Sequence, residues 1–400
     1  MKKYLTFLLD FILLPAKYFI RLVFSLIPRN KNIWVFSSWN GMTFSDNSKY
    51  FYLYVLKSHP EIQVSWITKS KKVYSELTEA NLPVCYFYSW QGLVACVRAS
   101  AQFTTHGLYD ISPMLTKNSK HFALFHASFP IKKMENDAFD RGISSKFIQQ
   151  VRKPFVLESP FLSVSSSINT QRVICSALRM DASAVPVFGY PRSNFMDRSM
   201  DLMTDSSRIS NIADLSEYDN VIYYVPTFRQ NDRFDPFEYS FDSVRLGTLL
   251  EATNSIFIIR FHPFDLKRML RRGRNLGSRV ILENHDIDDP YPLLRRTDVL
   301  ITDYSSIFAD FLLLDRPMIF ANFDYLSYVA EERSLYWDYE KVTPGAKVSD
   351  WPSLLEQLKS ILLEDNDQYT DFRKRMTRFI YQKSALKPSE ALFHHVQRTI

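Results

Sequence analysis

Apolar residues in this chain fall into short runs separated by polar turns and by stretches with helical spacing. The clearest example is 299–323. Val299-Leu300-Ile301 leads into Thr302, Asp303, Ser305 and Ser306; Ile307, Phe308, Phe311, Leu312 and Leu314 follow at helical spacing, and Met318-Ile319-Phe320 forms a second run. This predicts strand, polar turn, helix, strand, the unit of a parallel α/β sheet. The same reading predicts strands over 32–38, 63–68, 84–88, 101–105, 121–126, 221–225, 256–261 and 280–282. It predicts helices over 49–58, 243–253, 266–272 and 291–296, with amphipathic helices over 353–363 and 368–380. A polar stretch rich in Asp, Ser and Met lacks any strand pattern and is the candidate linker. The expected fold class is therefore α/β, two doubly wound halves facing a cleft, with ligands at the carboxyl ends of the strands.

Length agrees, since 400 residues exceed what one core usually fills. Only nine glycines are present, and there is no Gly-rich dinucleotide or phosphate-loop motif. Phe (32) and Tyr (22) exceed ordinary core filling and suggest some interfacial surface. Three cysteines without a CxxC pair suggest a reducing compartment. A net charge of +6 suits anionic lipid or a phosphorylated substrate and is too weak alone to argue for nucleic acid. The first 29 residues are strongly apolar but interrupted by Asp10, Pro15, Lys17 and Arg21, so they are expected to lie in a membrane interface as an amphipathic segment; a tilted spanning anchor is the rival reading.

In the second half, the ends of the expected strands carry the chemistry. They are Pro226-Thr227-Phe228-Arg229, Arg260-Phe261-His262-Pro263, Glu283-Asn284-His285-Asp286 and Thr302-Asp303-Tyr304-Ser305-Ser306. Arginines, a histidine and hydroxyls at a helix start are what a diphosphate requires. Ser305 and Ser306 could equally be an ordinary helix cap, but four such strand ends on one edge favour phosphate binding. No ligand set of metal-binding spacing appears, so neither a protein-held metal nor another cofactor is expected.

These motifs, in order and spacing, resemble the CDP-glycerol glycerophosphotransferase family of teichoic acid primases and polymerases. The match rests on 224–229, Arg260-Phe261-His262-Pro263, 301–306, 311–317 and Tyr336-Trp337-Asp338-Tyr339-Glu340. In the first half it rests on Asp46-Asn47-Ser48-Lys49 and Gly189-Tyr190-Pro191-Arg192. The resemblance spans roughly 32–385 and implies a GT-B architecture of two Rossmann-like domains. It implies a membrane-interface segment at 1–29, an acceptor-side domain at 30–195, a linker at 196–217, a nucleotide-binding domain at 218–385 and a C-terminal tail or helix at 386–400. The family's His-Gly-x-Pro-Leu-Lys segment corresponds to His126-Ala127-Ser128-Phe129-Pro130-Ile131-Lys132, with alanine for glycine and one extra residue before the proline.

The implied reaction is attack of an acceptor hydroxyl on the distal phosphorus of a CDP-linked polyol, releasing CMP. His126 is the candidate general base and His262 the second candidate catalytic histidine. Arg229, Arg260, Ser305 and Ser306 are expected to bind the donor diphosphate, supported by Thr227, Thr302 and Asp303. His106, His121 and His285 are read as structural. Expected partners are the CDP-linked donor, a lipid-linked or polymeric acceptor and the cytoplasmic membrane surface, with no nucleic acid. Two alternatives stay open: a CMP-sugar glycosyltransferase of GT-B fold, and a non-catalytic membrane-associated assembly protein.

Overall fold

The computed structural model describes residues 2–138, 143–156, 158–196, 214–229, 234–283, 289–331, 334–382 and 387–400. Most of the expected linker, Asn284, His285 and Asp286 therefore lie outside the described residues. The chain forms two compact units, one built from 1–126, 135–200 and 382–400, the other from 127–134 and 201–381.

The first unit holds six parallel strands: β1 (Asn30–Phe36), β2 (Gln63–Thr68), β3 (Val84–Tyr86), β4 (Ala99–Thr104), β5 (Lys120–Ala123) and β6 (Leu162–Ser163). Their order is β3-β2-β1-β4-β5-β6. The second unit holds β7 (Asn220–Val225), β8 (Ser255–Ile259), β9 (Val280–Leu282), β10 (Val299–Thr302), β11 (Met318–Ala321) and β12 (Ala346–Val348), ordered β12-β11-β10-β7-β8-β9. Counted within each unit, both sheets have the 3-2-1-4-5-6 order of the Rossmann fold. In each, the strand order reverses between the first and fourth strands, which in sheets of this order is where a ligand crevice lies, beyond the ends of β1 and β4, and of β7 and β10.

Strands such as β8, buried at every position, follow from helices covering both sheet faces. Many of the aromatics are core. Phe36, Phe103 and Phe122 sit side by side on β1, β4 and β5, stacked at 4.6 and 5.0 Å. In the second unit, Trp351 is fully buried among Phe237, Phe257 and Phe323. His121, buried on β5, bonds the Thr104 hydroxyl at 2.7 Å, and burial pushes its pKa down to about 3, which fits the structural reading.

Two segments join a unit away from their neighbours in sequence. The C-terminal helix Pro388–Thr399 belongs to the first unit, where Phe393 meets Trp34 at 5.5 Å. Residues 127–134, by contrast, belong to the second unit. There Lys133 N–H donates to Ser334 O, Tyr336 N–H to Ile131 O and the Trp337 indole to Pro130 O, at 2.8–2.9 Å. Phe129 stacks on Trp337, and the Ser128 hydroxyl donates to buried Asp310 at 2.6 Å.

The first residues form two helices, Lys2–Ile12 and Leu14–Ser25. At about 1.5 Å per residue neither reaches the roughly 30 Å of a hydrocarbon core, and no described helix is long and apolar enough to cross a membrane. Phe24 and Ile27 pack on the core of the first unit, whereas Leu9, Ile12, Phe19, Leu22 and Leu26 are exposed. Two of the interleaved cations are already paired: Lys17 with Asp10 at 3.0 Å, and Arg21 with Glu158.

Candidate functional site

The crevice of the second sheet is lined by the two loops that the sequence singled out, 226–229 after β7 and 303–306 after β10. Asp303, fully buried, joins them. Its carboxylate accepts from Thr227 N–H at 2.9 and 3.1 Å, from Tyr304 N–H at 2.6 Å and from Arg229 at 2.9 Å. Its carbonyl accepts from the Tyr339 hydroxyl at 3.0 Å. Thr302 is buried and donates its hydroxyl to Val225 O at 2.8 Å, closing β10 onto β7. These bonds tie the loop after β7 to the loop after β10.

Arg229 has a different setting from the one expected. Its side chain is 2% exposed and donates to Asp303 and, through Nε and a terminal nitrogen, to Asp324 at 2.8 and 2.9 Å. Its guanidinium also lies over the rings of Phe234, Tyr304 and Tyr328 at 4.3, 4.9 and 4.6 Å. The two aspartates raise its pKa against the opposing effect of burial. One cation between two carboxylates carries no surplus positive charge for an anionic ligand. The guanidinium is thus engaged by Asp303 and by Asp324, the latter 95 residues away in sequence.

Arg260, at the end of β8, donates to the buried Glu283 carboxylate at the end of β9 at 2.6 Å and keeps 12% of its side chain exposed. His262, half-buried, packs its ring on Phe228 at 4.5 Å. Burial lowers its pKa, which favours the neutral imidazole. Ser305 and Ser306 are half-buried beside the short helix Ile307–Phe311. Ser306 occupies the N-cap position without a side-chain capping bond, and the Ser305 hydroxyl accepts only a long bond, 3.4 Å, from Ile307 N–H. The ordinary cap reading thus accounts poorly for both hydroxyls. The Thr227 hydroxyl, also buried, has no hydrogen-bond partner among the described residues.

In the first unit, His106 follows β4 and His126 follows β5, with Trp39 from the loop after β1. The two imidazoles stack at 4.4 Å and 13°, and Trp39 lies 3.9 Å from His106 and 6.0 Å from His126. Asp110 accepts the backbone N–H groups of Thr105 and His106 at 2.8 Å each and that of Asn40 at 2.7 Å, tying the loops after β1 and β4 together. The sequence reading took His106 as structural and did not single out Trp39; the structure places both rings beside His126. Asp46, Asn47, Ser48 and Lys49 are buried, as is Arg192. These motif residues are buried within the first unit.

Comparison with known proteins gives these arrangements a relative frame. The family model "CDP-Glycerol:Poly(glycerophosphate) glycerophosphotransferase" matches residues 19–394. A teichoic acid glycerol-phosphate transferase of Staphylococcus aureus is 28% identical over 342 residues, which are 83% of this chain and 84% of that protein. A teichoic acid poly(glycerol phosphate) polymerase of Bacillus subtilis is 26% identical over 368 residues, 90% of this chain but only 48% of the relative, so this chain spans about half that protein's length. The solved wall teichoic acid polymerase TagF superposes with a TM-score of 0.72 at 21% identity, covering 100% of this chain and 98% of that one, which establishes a shared fold. With its motifs seated on that fold, the chain belongs to the CDP-glycerol:poly(glycerophosphate) glycerophosphotransferase family, a family of transferases.

Proposed function

We propose that this protein transfers a glycerol-phosphate unit from CDP-glycerol to a hydroxyl of a polymeric or lipid-linked teichoic acid acceptor, releasing CMP. The observation that carries the reading is the second sheet's crevice, lined by the family's own motif residues. In the reaction the acceptor oxygen forms a bond to the distal phosphorus as the bridging P–O bond breaks. CMP leaves with the electron pair and, as a stable anion, needs little proton help. The acceptor proton needs a base, and His126 takes it. On the donor side, the Ser305 and Ser306 hydroxyls, His262 and the exposed edge of Arg260 contact the diphosphate, while Thr227, Thr302, Asp303 and Arg229 hold the crevice in shape.

Incubating the purified protein with CDP-glycerol, CDP-ribitol and CMP-sialic acid, each with an oligomeric glycerol-phosphate acceptor, tests the reading through CMP release. CDP-glycerol is expected to be used best. Preferential turnover of the CMP-sugar would replace the proposal by a glycosyltransferase, and absence of both binding and turnover would leave a non-catalytic protein. Ser305→Ala and Ser306→Ala are each expected to weaken CDP-glycerol binding about tenfold in calorimetry, the worth of a hydrogen bond to a charged group. Unchanged affinity in both would remove the serines from the donor site.

The same reading puts the protein at the cytoplasmic face of the bacterial membrane, held by the exposed apolar residues of the two N-terminal helices. Phe19→Glu with Leu22→Glu is expected to lower co-sedimentation with phospholipid vesicles at least about tenfold, given roughly 1.5–3 kcal/mol per buried large side chain. Because Lys17 and Arg21 are ion-paired within the protein, salt should matter less than these substitutions. Retained sedimentation of the double variant would mean that another surface binds the membrane.

A further inference from the structure

The chain turns sharply just before His126. Phe125 has a left-handed backbone (φ 55°), unusual for a bulky residue, and its ring is buried against the imidazole of His126 at 4.8 Å. Asp46, which opens the helix Asp46–Ser58, is also left-handed (φ 65°) and buried. Strained backbone of this kind persists only where neighbouring groups over-determine it, and it concentrates at working sites.

Here the neighbouring groups are identifiable. The Asn47 side-chain amide donates to Leu124 O at 3.1 Å and to Phe125 O at 2.5 Å, so it grips the two carbonyls that lead into His126. Its side-chain oxygen accepts the Arg192 backbone N–H at 3.0 Å. The Arg192 guanidinium donates to the His126 carbonyl at 2.6 Å and pairs with the Asp46 carboxylate. Asn47 is fully buried and Arg192 1% exposed. Three consecutive carbonyls, of Leu124, Phe125 and His126, are thus held by two side chains, and the helix that supplies Asn47 is locked to the segment that supplies Arg192.

We propose that Asn47 and Arg192 are positioning residues that fix the backbone of His126 so that its imidazole is presented in one orientation. This rests on the reading of His126 as the base. It gives the Asp46-Asn47 and Gly189–Arg192 motifs a task in the chemical step. A base must lie within hydrogen-bond reach of the proton that it removes, and a small displacement of its backbone is costly in rate without altering donor binding.

The experiment compares Asn47→Ala and Arg192→Lys in the wild-type and His126→Ala backgrounds, following CMP release from CDP-glycerol. In the wild-type background each substitution is expected to lower kcat about tenfold or more while the donor KM stays within about twofold. In the His126→Ala background neither should lower the residual rate further, because groups that act through one residue are not additive. Unchanged kcat in the folded variants overturns the proposal. So does an equal loss in both backgrounds, which would mean that the pair acts independently of His126. If Asn47→Ala does not fold, Arg192→Lys decides alone, since it keeps the charge beside Asp46 and alters the contact to the His126 carbonyl. Near-normal turnover of His126→Ala itself would instead remove the reading of His126 as base, a result distinct from failure of the clamp.

Discussion

His126→Ala is expected to lower kcat about 10²–10⁴-fold, the usual worth of a positioned general base, with CDP-glycerol affinity unchanged by calorimetry. The acceptor hydroxyl cannot attack phosphorus well while it keeps its proton. His126 is half-buried after β5, flanked by His106 and Phe125 and held through its carbonyl. His106→Ala should give a smaller loss, because it removes a stacking partner and leaves the Asn47 and Arg192 contacts intact. A His126→Ala enzyme with near-normal turnover would leave the base to be sought elsewhere. Equal loss of donor affinity and rate would make His126 a binding group instead.

Arg229→Ala is expected to destabilise the second unit by about 3–5 kcal/mol, because it strands charge in the interior. Asp303 is fully buried and the Asp324 side chain is 11% exposed, and both are compensated by this guanidinium. Such a loss is a large fraction of the roughly 5–15 kcal/mol available to a typical domain, so the variant should unfold at much lower denaturant concentration. Adding Asp324→Asn should recover part of the loss, since the two residues form one network. A donor ligand would behave in the opposite way. If Arg229→Ala kept its unfolding midpoint and lost only CDP-glycerol affinity, Arg229 would touch the diphosphate after all.

The contrast between Arg229 and Ser305–Ser306 marks how far linear sequence reaches. An arginine at a strand end beside a phosphate-type motif reads as a ligand, because its type and place both suit an anion. Its partner Asp324 follows β11, and nothing local to either residue announces the pairing. For the serines the place at a helix start is legible locally, since their neighbours in sequence are also their neighbours in space. The Asp46-Asn47 motif is intermediate. Its presence was legible, but its direction was not: the Asn47 amide points into the loop that carries His126, and the Asp46 carboxylate pairs with Arg192.

The alternation of apolar runs and helical stretches by itself determined two parallel α/β units and most strand positions. Burial on both faces demands continuous apolar strands, and that signature is local. Two short strands, β6 and β12, escaped. Only the tertiary structure decided that 127–134 packs in the second unit and Pro388–Thr399 in the first, and which charges are neutralised. Those outcomes depend on groups brought together from distant parts of the chain. The sequence determined which residues could do the chemistry; packing decided which of them are occupied in holding the others still.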